Sequence, residues 1–431
     1  MKVLFVYPRF QRHADSHPEL RAAVPMNEYL GSPSLGMAAL AAITPDWVEL
    51  EYRDDRLSAA DIPTDADLVA LSFFTPAATR GIELAKYFKD QGKLVVAGGI
   101  FPTMMPDEIQ PYVDAVAIGE GELHWHQILA DARKGKLQPR YRSCESLDLS
   151  TLPLPKLSMY FEREDDDFAP DDYPVQLSRG CPLSCEACVL PVSMTRSMRA
   201  FSLEHVMGQL DQLAAAGKRA SLTEDTSWMP GVAARRTLSA IFDRFIEEGR
   251  TAQITYAGIS PPQLLAASED LLVRGRKAGI GMFYLVTGFD PITKRAFAGT
   301  DPKALRRCEE SIQRCHDLGI EPYTGFVIGN DQDDLGTVDR MLEFAERTKI
   351  RKAEFSIFTP YPGTPSFLKF QAEGRIIDRT WGHYNDCHVV FRPAQMTPDQ
   401  LLDCYLSLWR EFYADKFHLA DLPQLERTIQ F

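Results

Sequence analysis

No hydrophobic run in the chain is long. Its most apolar stretches, "LVVAGGIF" and "FYLVTGF", stop well short of the roughly 20 residues that a membrane span requires, so no span is expected. The opening "MKVLFVYPRF" lacks an extended apolar region leading to a small-residue cleavage site and reads as a first β-strand, which makes the cytoplasm the expected compartment. Positive charge is in deficit: 47 Lys and Arg stand against 60 Asp and Glu, for a net −13. That balance argues against a broad phosphate-neutralising face for DNA or RNA and points to a small-molecule or peptide substrate. A dense cysteine framework is also missing. Of eight cysteines, five (Cys144, Cys308, Cys315, Cys387 and Cys404) are scattered, unlike the pattern of a small disulfide-stapled secreted domain. Cys308 and Cys315 recur at a helical spacing and read as packed thiols.

The 431 residues, 45% of them hydrophobic, suffice for two or three domains with their own cores. Over residues 1–137, five strand-like runs ("KVLFVYP", "VELEYRD", "DLVALSF", "KLVVAGG", "DAVAIGE") alternate with helical patterns. That alternation predicts a doubly wound parallel α/β sheet. Ligands of such sheets sit beyond the carboxyl ends of the strands, here "YPRF", "SFFTP", "GGIFPT" and "GEGE". Residues 138–172 are rich in proline and acids without a sustained period and read as a linker. Over 173–370, six strands alternate with helices, predicting a partial (β/α)6 TIM barrel. Residues 371–431 are expected to form a small C-terminal cap, with a helix entered through Thr397 as its N-cap.

The chemistry-bearing motif is "SRGCPLSCEACVLP" at 178–191, in which Cys181, Cys185 and Cys188 follow a C-x₃-C-x₂-C spacing on the loop leaving the barrel's first strand. Three uses of these thiols compete. A disulfide needs pairs and a cytosolic chain keeps them reduced. Structural zinc closes with four ligands, and no second cysteine pair stands nearby. A four-iron cluster held by three thiolates leaves one iron open, which gives a reason for three.

This spacing, after the first strand of a six-stranded βα barrel, resembles that of the radical S-adenosylmethionine (SAM) enzymes. "GGIFPTMMPDE", "DAVAIGEGE", "TGFVIGN", "SIFTPYPGTP" and "HVVFRP" extend the resemblance to the cobalamin-dependent subclass, which includes anaerobic magnesium-protoporphyrin cyclase and hopanoid-modifying enzymes. The resemblance implies an N-terminal Rossmann-like cobalamin-binding domain and a [4Fe-4S] cluster on Cys181, Cys185 and Cys188 whose free iron is chelated by the amino and carboxylate groups of SAM. It also implies an electron donor such as flavodoxin or ferredoxin. The expected reaction is methylation of an unactivated carbon, one SAM methylating cobalamin and a second supplying the radical. Cyclisation, ring contraction or oxidation is the alternative within the subclass, and a non-catalytic iron–sulfur protein the alternative outside it.

Carried over by position, Glu224 and Asp225 in "LTEDTSW" and Gly288 and Asp290 in "TGFDP" are candidate SAM contacts. Ser72, Thr75, Pro76, Gly98, Gly99, Thr103 and Glu120 are candidate cobalamin contacts. The chain departs from the subclass at several points. Ala187 stands where an aromatic residue is common, and the third strand's usual arginine is missing from "YAGISPP". "DSHPEL" matches Asp15 and His17 of the Asp-x-His-x-x-Gly cobalamin motif but has Leu20 in place of the glycine, so His17 is not expected to be an axial ligand. His383 and His388 are expected to face the substrate from the C-terminal segment, and Tyr361, at the end of the last barrel strand, to line the active-site mouth.

Overall fold

The computed structural model describes residues 1–21, 34–143, 145–164, 170, 172–222, 228–229, 231–250 and 253–414. Two parallel sheets of six strands each carry the fold. The first comprises β1 (Lys2–Tyr7), β2 (Glu49–Asp54), β3 (Leu68–Ser72), β4 (Leu94–Gly98), β5 (Ala115–Ile118) and β6 (Arg140–Arg142), in the order β2-β1-β3-β4-β5-β6. The central strands are apolar along their length because both faces are covered: Val3 to Val6 and Leu68 to Leu71 are all buried. The chain winds to one side from β1 to β2 and to the other from β3 onward. The loops at the carboxyl ends of β1 and β3 therefore part, leaving a crevice. β6 lies in the stretch read as a linker; only Tyr141 of its three residues is buried, too short a run to leave a period-2 signal.

The second half contains β7 (Asp172–Val175), β8 (Ser178–Arg179), β9 (Arg199–Ala200), β10 (Arg219–Leu222), β11 (Ile254–Gly258), β12 (Met282–Val286), β13 (Glu321–Ile328) and β14 (Lys352–Ile357). β8 and β9 form a separate antiparallel pair, and the remaining six make the second sheet in the order β14-β13-β12-β11-β10-β7. Each strand lies beside its predecessor with a helix-containing crossover between them, as parallel pairing demands. The order is that of a partial barrel, and among the described residues no pairing joins β14 to β7. The helix Pro302–Asp317 buries Cys308, Ser311, Ile312 and Cys315 along one stripe, so those two cysteines are packed thiols.

The helix Pro398–Tyr413 starts at a capping box. Thr397 Oγ1 accepts from Gln400 N at 3.2 Å, and Gln400 Oε1 accepts from Thr397 N at 2.8 Å. This helix packs on the edge strand β14, where the indole of Trp409 donates to the Phe355 carbonyl at 3.2 Å. The turn Trp381–His383 reaches the first sheet's side, with Trp381 against Phe101 at 5.4 Å between ring centres and Gly382 N donating to Thr79 Oγ1 at 2.9 Å. The C-terminal segment thus touches both halves of the molecule.

Candidate functional site

The three cysteines occupy the loop between β8 and β9, whose pairing (Ser178 with Ala200, Arg179 with Arg199) closes the loop at its base. Gly180 follows directly with φ +86°, a conformation L side chains rarely adopt, and a Cβ there would run into the carbonyl oxygens of Thr195 and Ser197. The close approach lets Cys181 N donate to Thr195 O at 3.2 Å. Cys181 is buried, Cys185 and Cys188 are half-buried, and none is in a disulfide. On the outer side of the loop, Glu186 accepts Ser366 N on its carbonyl at 2.9 Å and pairs its carboxylate with Lys294 at 2.9 Å. A loop tied at its base and its rim holds three soft donors in place, the donor set of an iron–sulfur cluster with one open iron.

Beyond the carboxyl ends of β1, β3, β4 and β5 lies a cavity of about 360 Å³ with mostly apolar walls. It occupies the crevice where the winding reverses, the position predicted for a ligand. Of the candidate cobalamin contacts, Ser72, Gly98, Gly99, Thr103 and Glu120 line it. Gly99 has φ +99°, and a Cβ would sit 2.7 Å from the Phe73 carbonyl oxygen. Thr103 Oγ1 accepts from Gly119 N at 3.0 Å, joining two of the strand-end loops. Thr75 and Pro76 do not reach the cavity wall among the described residues. They are buried in the turn Thr75–Ala77, which packs on the turn at Trp381–His383.

One wall of the cavity comes from the second half of the chain: Gln176, Arg179, Ser193 and Met194. Arg179, beside the first cysteine, donates to Glu120 at 3.2 Å and to Glu122 at 2.8 Å, while Arg199 reaches the other Glu120 oxygen at 2.8 Å. Burial works against the Arg179 charge, but Glu122 and Glu120 outweigh it and the guanidinium is held protonated above its ordinary range. Both Glu120 oxygens are therefore engaged by arginines. Ser193, on the short helix Leu190–Ser193 after Cys188, has a buried Oγ without a hydrogen-bond partner among the described residues. An orphaned hydroxyl on an apolar wall fits a ligand that brings its own polar group. The apolar volume, the close-approach glycine and this hydroxyl together fit the tail of a large cofactor such as cobalamin.

The candidate SAM contacts divide. Gly288 follows β12 with φ +82°, and a Cβ would meet Val327 at 2.9 Å, so glycine is required by the backbone. Asp290 caps the helix Pro291–Phe297: Oδ1 accepts from Ile292 N at 2.8 Å and Thr293 N at 3.1 Å, and Oδ2 from Thr293 Oγ1 at 2.6 Å. Glu224 and Asp225 lie outside the described residues.

Sequence reasoning missed a buried polar junction between the halves. Arg12 donates to Glu354 at 2.7 Å and to Asp386 at 3.3 Å; His13 Nε2 lies 3.0 Å from Glu354, and the Tyr284 hydroxyl donates to Glu354 at 3.0 Å. Burial alone would raise the Glu354 carboxyl, but Arg12, His13 and Tyr284 push it down to about 2. The signal was present as a glutamate inside the apolar strand "KAEFSI". Tyr361 donates to Asp386 at 2.7 Å at the edge of this junction. His383 and His388 stack on each other at 4.4 Å between ring centres, and His17 lies beside His388 at 5.3 Å.

No protein-family model matches the chain. The bacteriochlorophyllide d C-12(1)-methyltransferase of Chlorobaculum tepidum is 23% identical over 406 residues, covering 92% of this chain and 86% of the relative. Among solved structures, the radical S-adenosylmethionine methyltransferase TsrM from Kitasatospora setae superposes with a TM-score of 0.65 at 16% identity, covering 86% of this chain and 76% of TsrM. The cobalamin-dependent S-adenosylmethionine radical enzyme OxsB gives a TM-score of 0.65 at 14% identity, covering 92% of this chain and 64% of OxsB. At those identities the two structures establish a shared fold.

Proposed function

We propose, from the premise that the relatives of this chain are cobalamin-dependent radical SAM enzymes, that it is a methyltransferase acting on an unactivated carbon of a small molecule. The observation that carries the reading is the shared wall: Arg179, Ser193 and Met194, which flank the three cysteines in sequence, line the cavity at the end of the first sheet. Cys181, Cys185 and Cys188 would hold a [4Fe-4S] cluster, and Ser72, Gly98, Gly99 and Ser193 would receive cobalamin. When bound, the cluster supplies the electron that cleaves SAM and cobalamin carries the methyl group.

The chain's own residues do the positioning. Gly180 and the β8–β9 pair set the cysteine loop, and Arg179 ties that loop through Glu120 and Glu122 to the cavity rim. The apolar wall excludes water from the reacting groups. Glu224, Asp225 and Gly288 are assigned to SAM, and residues 1–137 and 173–370 to the cobalamin and cluster domains. A flavodoxin- or ferredoxin-type donor in the cytoplasm would supply electrons. The relative's bacteriochlorophyllide substrate makes a tetrapyrrole the first class to try.

The test is anaerobic incubation of reconstituted protein with SAM, hydroxocobalamin, a reductant and a tetrapyrrole mixture, followed by mass analysis. The expected result is a product heavier by one methylene, absent with Cys185→Ala. SAM cleavage without cobalamin binding would overturn the methyltransferase reading, and failure to take up iron would overturn the cluster.

A further inference from the structure

Away from the cavity, three metal-ligating side chains from opposite ends of the chain meet. His17 stands just before the turn Pro18–Leu20, and Cys387 and His388 follow the turn Trp381–His383. One ligand atom from each lies within 4.8 Å of the other two. Each imidazole is anchored through one nitrogen. His17 Nε2 lies 2.7 Å from the Cys387 carbonyl oxygen, and His388 Nδ1 lies 2.8 Å from Asn385 Oδ1. The orientation of Asn385 follows from its amide nitrogen, which donates to Gln11 O at 2.8 Å and Ser16 Oγ at 3.2 Å. An oxygen that can only accept fixes the proton on the nitrogen facing it and leaves the other with the lone pair a metal needs.

We propose that His17, Cys387 and His388 form a site for zinc or a similar borderline-soft divalent ion, which pins the loop after β1 to the C-terminal segment. One thiolate and two imidazoles suit zinc, and three protein ligands leave a fourth position for water. Tetrahedral zinc draws nitrogen and sulfur to about 3.6 Å of each other, so the ligand atoms close by on the order of 1 Å. Binding converts the Cys387 thiol to a thiolate, forming the zinc–sulfur bond and releasing one proton to solvent. His13 N, 3.2 Å from the sulfur, already donates toward the charge that forms. Glu19, 3.9 Å from His17 Nδ1, and Asp378, bound to His383 at 2.6 Å, supply negative charge around the site. None of the three ligands lines the cavity or belongs to the cysteine loop, so the site stands apart from the proposed function.

The test titrates cobalt(II), as a spectroscopic substitute for zinc, into the intact full-length chain and into Cys387→Ser and His388→Ala variants, all metal-depleted and anaerobic. The loop cysteines contribute the same background to each. The intact chain is expected to bind one more cobalt per chain, with a difference spectrum containing sulfur-to-cobalt charge transfer and the intense visible bands of tetrahedral cobalt. His388→Ala, which alters a partly exposed ring, is expected to weaken this binding at least tenfold even if the buried Cys387→Ser fails to fold. Zinc should release one extra proton from the intact chain relative to His388→Ala and raise the thermal transition of the intact chain more. Equal cobalt affinity in the intact chain and His388→Ala, or a difference spectrum without sulfur charge transfer, would overturn the site.

Discussion

At Gly180 the backbone takes φ +86° and the space a Cβ needs is filled by two carbonyl oxygens. The residue's lack of a side chain is thus a condition for the cysteine loop to close. Gly180→Ala is expected to destabilise the protein by more than about 1 kcal/mol and to lower iron uptake on reconstitution, with far-ultraviolet dichroism preserved. Unchanged iron content and thermal transition would show that the loop tolerates a methyl group. Gly99 makes the same argument at the cavity, where a Cβ would sit 2.7 Å from the Phe73 carbonyl oxygen. Gly99→Ala should weaken hydroxocobalamin binding about tenfold, or roughly 1.4 kcal/mol, read from a spectrophotometric titration. The cysteines themselves were legible because their spacing is local: three candidate ligands within eight residues sit on one loop whatever the rest of the chain does.

Elements carry their own start signals, and the structure uses them. Thr397 and Asp290 both precede proline, and both cap the helix that follows. At Asp290 this local role competes with the ligand role suggested by position. Asp290→Ala should cost about 1 kcal/mol, whereas Asp290→Asn should cost only a few tenths, because asparagine caps nearly as well as aspartate. Equal losses in urea unfolding would contradict the cap. The β8–β9 pair depends on a partner outside itself, since Arg179 and Arg199 answer Glu120 and Glu122 across the cavity. Arg179→Met leaves buried carboxylates short of a counter-charge and is expected to cost about 3–5 kcal/mol, measured by the same unfolding experiment.

At the scale of the whole molecule, Glu354 joins the two halves. Its carboxyl is held at about 2 against an ordinary 4.5. The folded value is the lower one, so the stabilisation is complete above pH 4.5 and is lost as the pH falls from there toward 2. The groups facing it are Arg12, His13, Tyr284 and Tyr323, with Asp386 sharing Arg12. Glu354→Gln should lower the unfolding free energy at neutral pH by an amount on the order of 3 kcal/mol, seen as a lower thermal transition, and the gap to the natural protein should narrow as the pH drops below 4.5. A gap that is constant across that range would remove the ion pair from the account of how the halves dock.

The order and type of the main strands, the cysteine loop and the Thr397 cap were determined by the sequence alone. Each depends on neighbours a few residues apart, where apolar periodicity, fixed spacing and capping chemistry act. The tertiary structure decided everything that depends on which distant group answers which. Arg179 could have met any of 60 carboxylates, and only the packing of the cysteine loop on the end of the first sheet selects Glu120 and Glu122. The same holds for Arg12 and Glu354, 342 residues apart in sequence, and for His17 beside His388. A charge or a lone pair acts through space over a few ångströms, and that distance is set by the fold, not by position along the chain.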